Sequence, residues 1–407
     1  MSLEKLNTAL VADVAKLREE GRAKAPERII IGYVPASNGR GPRYRLQGSA
    51  RDYLRMNSNS YLSLSNHPDV LAAADRASHA FGAGPGAVRF IDGTFAPHAE
   101  LETRIARFVG RPAARIFNSA YTSVLGTAIT LGNPETFWIG DELNHNCIIR
   151  AMRIANVPSA QRAIFEHNDL GDLAGHLERV PGGTGRVIVI FDGIFSMRGD
   201  HAPVDAIADL VRRHEHRFRD GVITVMDDSH GIGAYGTTGR GTEEHCGAAV
   251  DIFIGTFGKA FGVNGGFVAG SAELTEAVRQ KADTYIYTNP LGAADAAAAV
   301  EAVDLADGPE GRARLNNLRA RTAQFRAGLE SQGFESIPGP HAVVPLLVRD
   351  TARVRAMVSG LFDRGILAVG LTFPVVPKGD ETIRFQINAA HTEQDIAEVL
   401  AALTALR

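Results

Sequence analysis

Residues 222–231 read VITVMDDSHG, an apolar run that ends in two acids, a serine and a histidine. An unbroken apolar run of this length predicts a strand with both faces covered, as in parallel sheets flanked by helices. The alternation of strand and helix patterns predicts an α/β fold. Further strands are predicted at 115–118, 136–139, 186–191 and 251–255, and helices at 99–109, 122–131, 203–214 and 272–281.

Past residue 291 the pattern changes. An Ala-rich run and then a charged run predict two long helices, at 293–305 and 310–330. We therefore expect three regions: an N-terminal helix and arm (1–58), a large domain (59–295) and a small α/β C-terminal domain (296–407). The last region has predicted strands near 342–348, 365–370 and 382–387 and predicted helices at 352–364 and 394–406.

The composition predicts a globular intracellular protein. Of 407 residues, 45% are hydrophobic, and 43 basic residues nearly balance 46 acidic ones, so no overall charge favours nucleic acid or a membrane surface. No run of about 18 apolar residues predicts a membrane span, and the amphipathic start of the chain does not resemble a signal peptide. The two cysteines, Cys147 and Cys246, are too few for a disulfide framework. We expect a cytoplasmic location.

Lysine is rare in this chain, and Lys259 occupies an unusual place. Only six of the 43 basic residues are lysines, and Lys259 follows the apolar run of DIFIGTFGKAFGVNGG, residues 251–266, in a glycine-rich turn. A lysine amine can lose its proton and form a Schiff base, which an arginine cannot do. The position suits a Schiff-base lysine, although a lysine at a loop tip would explain it equally well.

The acids that follow strand 222–227 stand where open α/β sheets present ligand-binding groups. Asp227 could hold the proton of a pyridine nitrogen, and His230 could reach the phenolic oxygen of a pyridoxal ring. Helix capping or solvation are the alternatives, and Asp228 could equally be the solvated acid. The segment FNSAYTSVLGTAITL, residues 117–131, predicts a strand that enters a helix whose positive end suits a phosphate, although most such turns bind nothing.

Two other patterns do not predict a site. Residues 231–236 spell GxGxxG after a strand, but TTGRGTEE follows instead of an apolar helix, so we do not infer a dinucleotide site. The spacing of His145, His214 and His216 does not match HExxH or a comparable metal-ligand pattern, so no metal is predicted.

Eight motifs stand in the order found in one enzyme family. They are NSNSYLSLSNHP, VRFIDGTFAPHAELE, DELNHNCII, EHND, FDGIFSMRGD, MDDSHGIGAYGTTGRGT, DIFIGTFGKAFG and IRFQINAAHT. From about residue 28 to its end the chain therefore resembles the pyridoxal-phosphate-dependent α-oxoamine synthases. VRFIDGT, MDDSHG, FPVVPKG and INAAHT are most similar to the 2-amino-3-ketobutyrate CoA ligase (glycine C-acetyltransferase) branch. The resemblance implies a type I, aspartate aminotransferase-like fold, with a large, mixed, mostly parallel sheet domain and a smaller α/β domain.

The resemblance implies roles around the ring of pyridoxal 5'-phosphate (PLP). Lys259 would form the Schiff base and transfer the Cα proton, and Asp227 would pair with the pyridine nitrogen. His230 and Ser196 would approach the phenolic oxygen. His145 would stack on the ring, although a histidine in such a segment is otherwise a core residue.

The resemblance also implies a phosphate site and a carboxylate site. The phosphate would be held by the amides of Ala120 and Tyr121, by Thr256, and by the partner subunit's Thr288. Asn59 and Arg384 would bind the amino-acid carboxylate, which fits the planar donor pair of an arginine. Without the resemblance, a surface ion pair would be the better interpretation of Arg384.

The implied activity is that of a PLP-dependent acyltransferase. It would condense an L-amino acid with an acyl-CoA or acyl-carrier-protein thioester through a Cα carbanion. CoA would leave, giving a 2-amino-3-oxo acid, or an α-amino ketone where CO₂ is lost as well. The resemblance also implies a homodimer. That the protein binds neither nucleic acid nor a membrane is instead predicted by the charge balance and by the lack of a long apolar run.

The chain departs from the family pattern beside these motifs. Arg198 stands where an acid usually follows FSM, Asp92 where Ser or Cys precedes Gly-Thr, and Arg150 where an acid follows DELNHNCII; Asn289-Pro290 replaces small hydroxyl residues. Asp92 and Arg198 could reshape the substrate pocket or pair with each other. We expect substrates other than those of the housekeeping members.

Two other functions stay open. One is an aminotransferase or decarboxylase of the same fold, which would not release a thiol from acyl-CoA. The other is a catalytically silent binding or regulatory subunit, which predicts missing cofactor contacts. All four residues of the implied catalytic set are present: Lys259, Asp227, His230 and His145.

Overall fold

The computed structural model describes residues 2–155, 157–373 and 376–407, in which strands and helices alternate. The strands are β1 (Ile30–Val34), β2 (Arg43–Leu46), β3 (Asp52–Arg55), β4 (Ala113–Phe117), β5 (Thr136–Asp141), β6 (Arg162–Phe165), β7 (Arg186–Asp192), β8 (Val222–Asp227), β9 (Ile252–Thr256), β10 (Gly266–Gly270), β11 (Val343–Leu347), β12 (Ile366–Leu367), β13 (Val369–Leu371) and β14 (Thr382–Gln386). The helices are α1 (Ser2–Glu19), α2 (Pro68–Phe81), α3 (Ala96–Phe108), α4 (Ala120–Leu131), α5 (Asn146–Ile154), α6 (Leu170–Arg179), α7 (Val204–His214), α8 (Thr242–Cys246), α9 (Ala272–Lys281), α10 (Asp283–Ile286), α11 (Ala293–Asp307), α12 (Pro309–Ser331), α13 (Thr351–Asp363) and α14 (Glu393–Thr404). Pro374 and Val375 of the FPVVPKG motif lie outside the described residues.

The chain divides into two compact units. One consists of residues 59–318, and the other of residues 1–58 together with 319–407. The division into three regions stays a prediction. The two compact units differ from it in two respects: the 59–318 unit extends past residue 295, and the N-terminal arm belongs to the same unit as the C-terminal residues.

The 59–318 unit contains a seven-stranded sheet in the order β4-β10-β9-β8-β7-β5-β6. The five strands from β9 to β6 are mutually parallel, and β10 is antiparallel to both of its neighbours. The mixed, mostly parallel sheet that the resemblance implies is therefore confirmed. The carboxyl ends of β5, β7, β8 and β9 lie along one edge, which positions the residues that follow them for a shared site.

Apolar side chains cover both faces of this sheet. The strand residues Trp138, Ile188 and Val225 are fully buried. These three side chains lie on one face, where they share a cluster with residues of the covering helices, among them Val124, Ile148 and Val278. On the opposite face, Ile139 and Val189 are also fully buried. Burial on both faces explains why the central strands are continuous apolar runs rather than alternating ones.

The other unit contains two small sheets, of order β1-β2-β3-β12 and β11-β14-β13. The single strand predicted at 365–370 is two strands: β12 pairs with β3, whereas β13 pairs with β14. The prediction of one strand there was wrong because the segment pairs with two different sheets. The other predicted strands and helices are confirmed, with ends within three residues of the observed ones. None of the helices in the described residues is long and apolar enough to cross a bilayer.

Candidate active site

A small cavity in the 59–318 unit lies at the carboxyl ends of β7 and β8. Its volume is about 60 Å³, and its lining extends onto the exposed surface of Tyr121 and His145. Ten residues line it: Ala120, Tyr121, His145, Cys147, Asp192, Ser196, Asp227, Ser229, His230 and Lys259. Seven of these ten were predicted from the sequence as cofactor residues; Cys147, Asp192 and Ser229 were not.

The fold explains why these residues meet. Asp192 and Asp227 end adjacent parallel strands and are register partners. His145 caps the amino end of α5, and Ala120 is the first residue of α4. Lys259 lies in the turn after β9, which is closed by a hydrogen bond from the Gly262 amide to the Lys259 carbonyl (3.0 Å).

Asp227 is buried and held in one orientation. Its Oδ1 accepts hydrogen bonds from the Ser229 amide (3.0 Å) and the Ser229 hydroxyl (2.5 Å), while the Cys147 thiol lies 3.8 Å from Oδ2. A carboxylate oxygen has more than one lone-pair site, so Oδ2 retains the capacity to accept from a ring N–H. The geometry fits the predicted partner of a pyridine nitrogen.

His230 is buried beside the tyrosine of an earlier segment. Its Nδ1 lies 2.7 Å from the Tyr61 hydroxyl. This contact fixes the imidazole plane at the cavity. Tyr61 was not predicted, although it lies within the NSNSYLSLSNHP motif.

His145 is an exposed residue whose imidazole is partly buried at the cavity. Its backbone amide donates to Asp192 Oδ2 (2.6 Å), and its Nδ1 accepts from the Cys147 amide (3.3 Å). Partial burial lowers the pKa of His145. The negative charge of Asp227 acts in the other direction and raises this pKa, whereas the positive charge of Lys259 lowers it further. The ring is therefore neutral at neutral pH, and a flat neutral face suits stacking.

Two further acids lie close to Asp227: Asp192 lines the cavity, and Asp228 does not. Burial, and next the charge of Asp227, raises the pKa of Asp192 well above its usual range. Burial also raises the pKa of Asp228 to about 7. The Thr242 amide and hydroxyl donate hydrogen bonds of 2.7 Å to this carboxyl group, which lower the pKa but do not outweigh burial. The suggestion that Asp228 is the solvated acid was wrong, because its side chain is fully enclosed.

Glycines make room for the Asp228 carboxyl. A Cβ on Gly193, Gly231 or Gly241 would lie 2.2, 2.2 or 1.9 Å from one of its oxygens. Asp228 thus fills a space that only glycines leave open. Since Gly193 follows Asp192 and Gly231 follows His230, this carboxyl packs two cavity-lining segments together.

The predicted phosphate site lies at the start of α4. The first amides of a helix have no partner within the helix, and its positive end favours an anion. Gly266 packs so closely there that a Cβ on it would lie 2.2 Å from the Ala120 nitrogen. The hydroxyl of Thr256 donates to the Gly265 carbonyl (2.9 Å). Thr256 and Thr288, both described residues, lie outside the cavity lining.

The remaining predicted positions are spread over both units. Asn59 is a half-buried residue of the 59–318 unit that does not line the cavity, and Arg384 lies on β14 in the other unit. Their carboxylate-binding roles stay predictions. Among the described residues the ion-pair partner of Arg198 is Asp200 (3.0 Å), so the suggested pairing with Asp92 was wrong. Asp92 is exposed in a turn with a φ of 59°.

The donor set fits PLP. The cavity combines an amine at Lys259, a buried carboxylate at Asp227, an imidazole at His145 and the positive end of α4. These groups match a cofactor with an aldehyde, a basic ring nitrogen, a flat ring and a phosphate. The enclosed volume is smaller than the cofactor, so part of it would lie over the exposed surface of His145 and Tyr121.

Three residues of the lining were missed by sequence reasoning. Asp192 ends a predicted strand, as Asp227 does, so the same strand-end argument could have found it. Ser229 and Cys147 carry no comparable signal, because they act through contacts to Asp227 that only the fold creates.

Comparison with known proteins agrees with this arrangement. Residues 51–403 match the family model for class I and II aminotransferases. The mitochondrial 2-amino-3-ketobutyrate coenzyme A ligase of Homo sapiens is 36% identical over 398 residues, which cover 97% of this chain and 90% of that protein. An 8-amino-7-oxononanoate synthase from Geobacter metallireducens is 34% identical over 403 residues, which cover 98% of each.

Solved structures give the same result. A serine palmitoyltransferase from S. paucimobilis, solved with a bound PLP–myriocin aldimine, superposes with a TM-score of 0.86 at 27% identity. The match covers 98% of this chain and 96% of that one. The likeness therefore extends over nearly the whole chain and not only over the motifs.

Proposed function

Because this chain belongs to the class I and II aminotransferase family and is a PLP-dependent α-oxoamine synthase, we propose that it joins an L-amino acid to an acyl-CoA thioester. The observation that carries the proposal is the convergence of Lys259, Asp227, His145 and His230 on one cavity at the strand ends. An amine, a buried carboxylate and a neutral imidazole are the groups that such chemistry requires.

In the proposed reaction a carbon–carbon bond forms between the amino-acid Cα and the thioester carbonyl carbon. The carbon–sulfur bond breaks, and CoA leaves as its thiol. Where the carboxylate is also lost, CO₂ leaves and a proton takes its place at Cα. PLP, when bound, withdraws electron density from Cα and so makes its proton acidic.

The side chains would divide the remaining work. The Lys259 amine would take the Cα proton and later return it, which requires a base that can exist in the neutral form. Asp227, fixed by Ser229, would keep a proton on the ring nitrogen. The neutral ring of His145 would cover one face of the cofactor and limit its tilt.

We propose that the substrates are not glycine and acetyl-CoA. Relatives with two different names match this chain at 36% and 34% identity, which does not favour either substrate pair. The departures Asp92 and Arg198 support different substrates. The Arg198 side chain, 42% exposed and paired with Asp200, brings a cation into the turn that carries Ser196.

A substrate panel tests the proposal. PLP-loaded protein is incubated with L-amino acids and with acyl-CoAs of increasing chain length. We expect thiol release, followed with a thiol reagent, only when both substrates are present, and an α-amino ketone or 2-amino-3-oxo acid by mass spectrometry. An aminotransferase would instead give pyridoxamine and an oxo acid without thiol. Turnover of glycine and acetyl-CoA at ordinary enzyme rates would contradict the substrate proposal alone.

We also propose that the chain functions as a homodimer. Helix α1 exposes an apolar stripe at helical spacing, with Leu3, Leu6 and Leu10 exposed by 64%, 53% and 50%. In the 59–318 unit, Phe90 and Tyr287 are exposed by 62% and 74%, and Tyr287 precedes Thr288, the residue implied to serve the partner's phosphate site. Large exposed apolar side chains in groups are typical of interfaces.

Light scattering after gel filtration checks the dimer. The wild-type chain is expected to elute at twice its 43.5 kDa mass. Leu6→Asp with Leu10→Asp is expected to weaken dimerisation by about tenfold or more, because two charges would be buried in an apolar contact. Leu71→Asp on α2, 53% exposed, is the matched control. A monomeric wild-type chain at micromolar concentration would refute the proposal.

A further inference from the structure

His167, in the EHND motif, lies between two carboxylates. Its Nδ1 is 3.0 and 3.2 Å from the two oxygens of Asp141, and its Nε2 is 3.2 Å from Asp200 Oδ2. The side chain is 14% exposed. An imidazole whose two nitrogens both face carboxylates donates through both, and so carries a positive charge.

The two carboxylates belong to different loops of the cofactor cavity. Asp141 ends β5 and opens the loop that carries His145. Asp200 closes the turn that carries Ser196, in which the Phe195 amide donates to the Asp200 carbonyl (3.0 Å). His145 and Ser196 both line the cavity. His167 therefore joins two sides of the site without lining it.

Other contacts hold His167 in this position. Its amide donates to Glu142 Oε1 (3.1 Å), and the Asn168 amide donates to Asp141 Oδ2 (2.9 Å). The Phe195 ring stands edge-on to the imidazole, with centroids 4.4 Å apart and planes at 84°. The contacts come from β5, from the loop after it and from the 195–200 turn, so the link is built into the fold rather than formed by one mobile side chain.

We propose that His167 is a positioning residue that, as an imidazolium, ties the loop carrying His145 to the turn carrying Ser196. The inference rests on the proposed function for the roles of those two residues, but the link itself is a property of this chain. Neutralising His167 would leave two carboxylates facing an uncharged ring. Both loops would then open more often, and His145 and Ser196 would lose their fixed separation.

The charges around His167 favour its protonated form. Asp141 faces it from β5, Glu142 from the following loop and Asp200 from the 195–200 turn, where Arg198 shares the Asp200 carboxylate. Burial lowers the pKa of His167, but the hydrogen bonds to Asp141 and Asp200 outweigh it and raise the pKa to about 9. The link is thus complete at neutral pH and is lost as the pH rises through 9.

His167→Gln tests the proposal, with His176→Gln as the matched control. His176, on α6, also faces an aspartate, with Nε2 3.6 Å from Asp172, but that pair is one turn apart on a single helix. We expect backbone hydrogen exchange in both 141–148 and 193–201 to become about tenfold faster or more in His167→Gln, with and without PLP. The visible circular dichroism of bound PLP should change, and kcat should fall about tenfold. The control should match wild type.

Exchange rates that stay at the wild-type level in both segments would overturn the proposal, as would acceleration in one segment only. If His167→Gln does not fold, Asp200→Asn is the alternative variant, because it keeps the size of the side chain. It should speed hydrogen exchange in 193–201 and lower the pKa of His167, which NMR measures. Once the exchange rates are corrected for the intrinsic pH dependence of amide exchange, the wild-type rates in both segments should increase at pH values above 9. The rates in His167→Gln should show no such increase. Because exchange is also measured without PLP, this outcome is separate from the thiol-release test of the proposed function.

Discussion

Lys259→Ala is expected to reduce thiol release by on the order of 10⁴-fold, since one side chain supplies both the covalent link to PLP and the Cα base. Lys259→Arg should fail almost as completely. Arginine keeps the positive charge and most of the length, but its guanidinium does not give up a proton in proteins. The comparison of the two variants therefore separates the need for a charge from the need for a base.

Two measurements check this result. Borohydride treatment of the PLP-loaded wild-type chain, followed by peptide mass spectrometry, should place the reduced cofactor on Lys259 and on no other lysine. Lys281→Ala, at the exposed end of α9, should keep both the tag and the activity. The mechanism is wrong if Lys259→Ala retains more than about a tenth of wild-type thiol release, far above the loss that removing a general base causes.

The strand that ends at Asp227 could be predicted because its burial requires a run of apolar residues, which is visible in the sequence. A strand covered on both faces is apolar along most of its length, and β8 was predicted with both ends correct. The acid at its carboxyl end then pointed to the site by position alone. Lys259 could be found because a lysine in an arginine-rich chain, placed in a glycine-rich turn after a strand, is unusual for a surface cation.

Contacts between segments that are distant in sequence could not be predicted from such local patterns. Strand β10 has only five residues, GFVAG, with glycine at both ends, and its place between β4 and β9 depends on pairing with segments far away in sequence. Similarly, β12 and β13 are separate strands because their partners differ. Local patterns specify the type of an element but not its neighbours.

The same reason explains what was missed at the site. Adjacent acids such as Asp227 and Asp228 look alike in sequence, and only the three glycines packed around Asp228 determine that its carboxyl is enclosed. Arg198 pairs with Asp200, two residues away, rather than with the distant Asp92, because the 195–200 turn brings the two side chains together. The position of a polar group in a loop depends on the loop geometry, which the sequence pattern does not reveal.

Gly266→Ala should disrupt the phosphate end of the site. Gly266 begins β10, and a Cβ there would lie 2.2 Å from the Ala120 nitrogen, 2.4 Å from the Ser119 carbonyl carbon and 2.5 Å from the Ala120 Cα. All three atoms are backbone, so no side chain can rotate away. Because β10 is held by β4 and β9 on its two sides, the first turn of α4 must move instead.

We expect Gly266→Ala to lower the free energy of unfolding by about 3 kcal/mol, the upper range for overpacking, and to weaken PLP binding by about 100-fold. Chemical denaturation and a PLP titration measure the two effects. Gly84→Ala is the matched control: apart from its chain neighbours, no atom of the described residues lies within 4 Å of the place that its methyl group would take, and its φ is not positive. PLP affinity within twofold of wild type in Gly266→Ala would mean that the first turn of α4 does not hold the phosphate. If PLP affinity falls by more than the lower free energy of unfolding explains, the phosphate lies at that turn, because displacement of Ala120 and Tyr121 acts on the anion directly.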